Sequence, residues 1–274
     1  MPARIGGCAC CIGRLPVIGR RHALGLLAGV AAVSLGGCEQ ATSLLVSPQE
    51  ETSMGVSAFN QLKQEVPIST DRAAQRRLQE IGQRIVPASG AEIAADDWEF
   101  VVFDSDELNA FALPGGRVGF YEGILKIMDN DAQIATVMGH EIGHVNAHHS
   151  AKRLAGMRAS SIGLQAASAA LQMGQVGMSQ EIAAAMGLGV QYGVILPYSR
   201  ANELEADRLG LTYMARAGYD PEEALVFWQR FAAKTAQGAP PAFLSTHPAG
   251  ADRIAQFREL MPEAEALYGQ SRAA

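Results

Sequence analysis

His140, Glu141 and His144, within the run His140-Glu141-Ile142-Gly143-His144, are the side chains of this 274-residue chain best suited to chemistry. On a helix, residues four apart sit one turn apart and about 40° round the axis, so both imidazoles point at one spot. Two nitrogen donors placed that way suit a tetrahedral zinc ion. Glu141 lies about 100° round from His140. There it can take a proton from a water that the metal acidifies while the oxygen attacks a polarised carbonyl. This is the H-E-x-x-H pattern of metal-dependent peptide hydrolysis. Four of the six histidines fall between positions 140 and 149, a clustering that packing alone leaves unexplained. His148 faces the ligand side further along the helix and His149 points the opposite way, so neither is assigned a role.

A catalytic zinc site takes a third protein ligand and keeps one position open. Asn202-Glu203-Leu204-Glu205-Ala206-Asp207 supplies the acids, about sixty residues downstream. Glu203 and Asp207 share a helix face by their four-residue spacing, whereas Glu205 points nearly the other way. Glu203 is therefore the expected ligand, Asp207 the expected acceptor for a ligand histidine's second ring nitrogen, and Glu205 a solvated surface charge.

Hydrophobic periodicity supplies the elements that must hold these groups. Leu78, Ile81, Ile85 and Val86 recur at helical spacing over 71–86, with Pro87 expected to stop that helix. Residues 98–103 (WEFVVF) read as a strand. Residues 109–121 read as two strands joined at Pro114-Gly115-Gly116. A helix is expected over 131–154, capped by Asp129, Asn130 or Asp131. Further helices are expected over 200–216, ending at Gly218, then from Pro221 to Phe231 and from about Ala251 to Leu260. Residues 159–199 carry one charge, Glu181, and read as small-residue helices packed on the domain rather than a membrane hairpin. The expected class is α+β, predominantly helical, with a small sheet beside the helix of the H-E-x-x-H run.

Composition bounds the rest. Apolar residues make up 48% and charged residues 18% of the chain, a globular balance. The net charge of -6 argues against a nucleic-acid partner, which calls for a basic stripe. All four cysteines, Cys8, Cys10, Cys11 and Cys38, lie at or before position 38, so no disulfide framework is expected. Arg20-Arg21, an apolar stretch over 23–35 and small residues after it have the form of a secretory leader. Leu35-Gly36-Gly37-Cys38 resembles a bacterial lipobox, which implies lipidation at Cys38. The alternative is a plain signal peptide with an unanchored product. The domain reading is a signal peptide over 1–37, a tether over 38–50 and a metallopeptidase domain over 51–274.

Taken together, HEIGH at 140–144, NELEAD at 202–207, Asn109-Ala110-Phe111-Ala112-Leu113-Pro114-Gly115-Gly116, and Ser245-Thr246-His247-Pro248 with Arg253 resemble the M48 metallopeptidases. That group includes CAAX prenyl proteases and bacterial membrane-protein quality-control proteases. The resemblance implies a zincin-like fold, one Zn2+ per chain held by His140, His144 and Glu203, Glu141 as general base and Asp207 behind the ligands. It also implies that Asn109, Ala110, Phe111 and Ala112 form a sheet edge to which an unfolded substrate adds as a strand. His247 would either plug the site by coordinating the metal or stabilise the developing oxyanion. Arg253 would hold that loop or the site electrostatically. The leading expectation is a zinc endopeptidase acting on misfolded or misassembled envelope proteins, lipid-anchored at the periplasmic face of the outer membrane. The alternative is an assembly chaperone or scaffold whose zinc site is latched shut.

Overall fold

A computed structural model of the chain describes residues 42, 44–173, 198–235, 242–247 and 250–273. The expected leader, Cys38, Pro248 and residues 174–197 lie outside the described residues. The described residues from Thr42 onward form one compact unit.

Ser47 caps α1 (Pro48–Glu65) by accepting a hydrogen bond from the Glu50 N–H. Val46, in the stretch expected to be a tether, is buried with Ala151 and Ala155, and Arg158 donates to the Leu45 carbonyl. The folded unit therefore already includes part of 38–50. Asp71 caps α2 (Arg72–Ser89) by accepting from the Ala73 and Ala74 N–H groups. Its Leu78, Ile81 and Ile85 stripe is buried as the periodicity requires. Pro87 does not end this helix. It lies in the last turn, and the stop comes at Gly90, whose φ of 64° is left-handed.

The sheet holds β1 (Glu99–Phe103), β2 (Ala110–Leu113) and β3 (Arg117–Tyr121) in the order β1-β3-β2. β1 runs parallel to β3, and β2 pairs antiparallel with β3. The expected β2–β3 turn is present, with Gly115 and Gly116 at φ 84° and 77°, a region that glycine enters without a Cβ clash. The two outer edges differ. Along β1, the Gln75 amide bonds the Phe100 carbonyl and the Val102 N–H, and residues 67–69 pair further on. β2, at the other edge, turns toward the helix that carries the H-E-x-x-H run, where the Ala112 N–H donates to Glu141.

The short α3 (Glu122–Leu125) leads to α4 (Asp131–Asn146), which carries that run and is capped by Asn130. Then come α5 (His149–Met173), α6 (Arg200–Arg216), α7 (Glu222–Thr235), α8 (Ala242–Thr246) and α9 (Ala251–Ala273). Among the described residues, no helix is long and apolar enough to cross a membrane. α2, α4, α6, α7 and the sheet share one core, including Ile134, Val137, Met138 and Ile142 from α4 and Leu211 and Met214 from α6.

Two helix boundaries correct the sequence reading. The helix expected over 131–154 is two helices, because the chain turns at Ala147-His148, where His148 takes a φ of 51°. The last helix runs on through Pro262 to Ala273 rather than ending near Leu260, and Ala264 beyond the proline is buried in the core. A proline inside a helix costs about 3 kcal/mol, a penalty that burial of the following turn opposes.

Candidate metal centre

α4 and α6 cross with their backbones almost touching. A Cβ on Gly139 would stand 2.8 Å from the Gly210 carbonyl oxygen, one on Gly210 2.5 Å from the His140 nitrogen, and one on Gly143 3.0 Å from the Ala206 carbonyl oxygen. With no side chains in between, acids on α6 can reach the ring nitrogens of α4. Ser199 begins α6 by accepting from the Asn202 N–H, which places Glu203 in its first turn.

His140, His144, Glu203 and His247 each present a ligand atom, all within 4.8 Å of one another. His140 Nε2 lies 3.1 Å from His144 Nε2 and 3.2 Å from His247 Nδ1. The Glu203 carboxylate lies 3.4 Å from His144 Nε2, 3.6 Å from His140 Nε2 and 3.2 Å from His247 Nδ1. Atoms sharing a tetrahedral zinc ion at about 2.0–2.1 Å stand roughly 3.3 Å from each other, so the set has the right span for one ion.

Hydrogen bonds behind the cluster point the same way. Asp207 Oδ1 lies 2.9 Å from His140 Nδ1. A carboxylate only accepts, so Nδ1 carries the proton and Nε2 turns a lone pair into the cluster. Arg253 grips Asp207 from Nε and Nη2 at 2.6 and 2.7 Å, and its Nη1 lies 3.1 Å from Glu203 Oε2. Its guanidinium also lies 4.0 Å from the centre of the Trp228 ring. Glu141 Oε1 is buried with no hydrogen bond, and Glu203 Oε2 has only the ion pair with Arg253. A buried carboxylate oxygen left that way beside lone-pair nitrogens fits a cation-binding pocket.

Glu141 is held by one oxygen: Oε2 accepts from the Ala112 N–H at 3.1 Å, and Oε1 faces His247 Nε2 at 3.5 Å. Burial pushes its carboxyl up to about 7, against the pull of nearby cationic groups. Burial likewise lowers His144 to about 4 and holds His140 well below the ordinary histidine value, so both rings stay neutral near pH 7. Burial alone would raise Glu203, but the rings of His144, His247 and His140 around its oxygens hold it well below the usual carboxylate range.

His140, Glu141, His144, Glu203, Asp207, His247 and Arg253 thus meet in one buried cluster. Ala112 touches it, while Asn109 lies just before β2, its carbonyl accepting from the Tyr121 N–H. Several participants were not foreseen. His149 is buried against His144 rather than pointing away, and Glu205 pairs with His149 rather than standing alone in solvent. His148 leaves the ligand side and meets Glu51 at 3.0 Å. Tyr198 stacks on the His144 ring at 4.1 Å, fixed by its N–H to the Thr246 carbonyl. Nothing in the sequence around Tyr198 marks it. For His149, the signal was the Asn-Ala-His stretch at 146–148, since asparagine and histidine enter left-handed backbone more readily than most residues.

The profile of peptidase family M48 matches residues 72–261. The chain is 38% identical over 184 residues to the mitochondrial metalloendopeptidase OMA1 of Schizosaccharomyces pombe, covering 67% of this chain and 52% of that protein. It is 29% identical over 231 residues to the beta-barrel assembly-enhancing protease of Escherichia coli, covering 81% and 46%. The OMA1 of Saccharomyces cerevisiae is 32% identical over 230 residues, covering 78% and 64%. The chain thus spans about half the length of the first two of these relatives.

Proposed function

The chain belongs to peptidase family M48, and from that premise we propose that it is a zinc-dependent endopeptidase. The observation that carries this reading is the convergence of His140 Nε2, His144 Nε2 and the Glu203 carboxylate at mutual distances of 3.1 to 3.6 Å. These three residues would hold the ion. Bound there, Zn2+ supplies Lewis-acid polarisation of a peptide carbonyl and acidification of water. Glu141 takes the water's proton through its free Oε1 and delivers it to the leaving amine. The Ala112 N–H keeps that carboxylate aimed, and burial keeps its proton affinity near neutral. The β2 edge, running past Glu141, receives the substrate backbone as an added strand, which gives grip with little sequence preference.

The position of His247 favours a second reading of the same site. Its Nδ1 lies 3.2 Å from both His140 Nε2 and Glu203 Oε1, within reach of a fourth ligand position. A zinc site closed by four protein ligands leaves no place for water, so His247 there would act as a latch.

As substrates we propose misfolded or misassembled envelope proteins, with the chain lipid-anchored through Cys38 at the periplasmic face of the outer membrane. The lipobox-like Leu35-Gly36-Gly37-Cys38 and the bacterial relative named for beta-barrel assembly support this placement. The test is cleavage of an unfolded protein by the full chain, with and without chelator, beside Glu141→Gln. Loss of cleavage on chelation and in the variant is expected, and equal cleavage in all three would reject the peptidase. A rise in cleavage in His247→Ala supports the latch, and a fall assigns His247 to the oxyanion.

A further inference from the structure

We propose that His149 is a positioning residue for the metal centre, holding His144 in ligating orientation and braced in turn by Glu205. The proposal rests on the reading that His144 is a metal ligand. α4 ends at Asn146, and the left-handed turn at His148 swings the chain back so that the first residue of α5 lands beside the ligand one turn earlier. His149 Nδ1 lies 2.8 Å from His144 Nδ1, and the rings meet edge to face with centroids 4.8 Å apart. On its far side, His149 Nε2 lies 3.1 Å from Glu205 Oε2. The His149 side chain is fully buried, whereas that of Glu205 is 43% exposed.

These contacts fix the direction of each hydrogen bond between His144, His149 and Glu205. The Glu205 carboxylate can only accept, so His149 Nε2 carries the proton. The neutral ring then has its lone pair on Nδ1, which accepts from the His144 Nδ1–H. That leaves His144 Nε2 as the lone-pair nitrogen, 3.1 Å from the corresponding atom of His140. Tyr198 lies against the His144 ring face. The ring therefore has two flipped positions open to it, and only one makes the bond to His149. α6 thus serves both ligand histidines: Asp207 bonds His140 directly, while Glu205, on another side of the helix, reaches His144 through His149.

Zn2+ affinity of the full chain, measured by competition with a chromophoric chelator at pH 7.5, tests the assignment. Removing such a partner weakens metal binding about 10–100-fold, and His149→Leu is expected to fall in that range. His149→Asn keeps an acceptor near the Nδ1 position and should recover most of the loss, which a purely space-filling role does not predict. Glu205→Ala, at a half-exposed site that does not threaten folding, should weaken affinity by a smaller but measurable factor. Wild-type affinity in both His149→Leu and Glu205→Ala overturns the proposal, as does His149→Asn binding no better than His149→Leu. Should His149→Leu fail to fold, Glu205→Ala and His149→Asn decide. Failure of the wild-type chain to bind Zn2+ would instead remove the metal-site reading on which the proposal stands.

Discussion

His140 and His144 stand one helical turn apart and present the same nitrogen to the same spot, yet they are held in opposite ways. Behind His140 the support is ionic and sealed: Asp207, 1% exposed, is clamped by the two-point grip of Arg253 under the Trp228 ring. Behind His144 the support is a neutral imidazole, His149, which accepts from His144 and donates its one N–H to the half-exposed Glu205. A buried ion pair is costly to break because it strands a charge, whereas a partner at the surface is easily replaced by water. Loss of the first support should therefore damage the fold, and loss of the second mainly the orientation of one ligand.

The largest effect separates the two supports. Asp207→Ala leaves the Arg253 guanidinium buried without its main partner and should destabilise the protein by about 3–5 kcal/mol in urea unfolding. Glu205→Ala should stay within about 0.5 kcal/mol of wild type. Similar midpoint shifts in the two variants would erase the contrast.

Acid should expose what the two supports share. Burial lowers His140, His144 and His149 alike. A histidine whose folded value lies below its unfolded value stabilises fully above about pH 6.5, and that contribution is lost as pH falls toward the folded value. For His144, taken from 6.5 to about 4, the full effect corresponds to about 3 kcal/mol. Glu141, raised to about 7, titrates with the opposite sign, so it is the chelator-treated Glu141→Gln chain that should unfold at steadily lower urea concentration between pH 7 and pH 4.5. A flat profile would mean that these rings are not neutral in the fold.

The smallest effect has the opposite sign. His148 is raised by its hydrogen bond to Glu51. Its contribution is complete below about pH 6.5 and disappears as pH rises through the folded value. At this half-exposed site it should amount to less than about 1 kcal/mol. Glu51→Gln should lower the melting temperature slightly at pH 6 and leave it unchanged at pH 9, and a larger loss at pH 9 would contradict the assignment.

The support behind His140 was legible in the sequence, and the one behind His144 was not. Four-residue spacing is a property of a continuous helix. It brought His140 and His144 together and put Glu203 and Asp207 on one face of a second helix, while the Pro-Gly-Gly signal marked the turn at Pro114-Gly115-Gly116 that sets β2 beside Glu141. The same arithmetic carried past Asn146 pointed His149 the wrong way, because the helix had already ended at a left-handed His148 with no glycine or proline to announce it. The error passed on to Glu205, whose partner is His149 and which therefore looked like a bare surface charge. Pro87 misled in the other direction: it lies inside its helix, as Pro262 does in the last one, with buried residues on both sides of the second proline. The near-contact of Gly139, Gly143 and Gly210 that lets α6 reach α4 was present as letters, but only the crossing of the helices gives it meaning.

The central claim is that His140, His144 and Glu203 hold one metal ion while Glu205 stands outside the ligand set. Zinc per chain, measured by elemental analysis of the purified full chain beside Glu203→Ala and Glu205→Ala, tests it most directly. The account predicts one zinc in the wild type and in Glu205→Ala, and almost none in Glu203→Ala. Full zinc in Glu203→Ala, or its loss from Glu205→Ala alone, would contradict it.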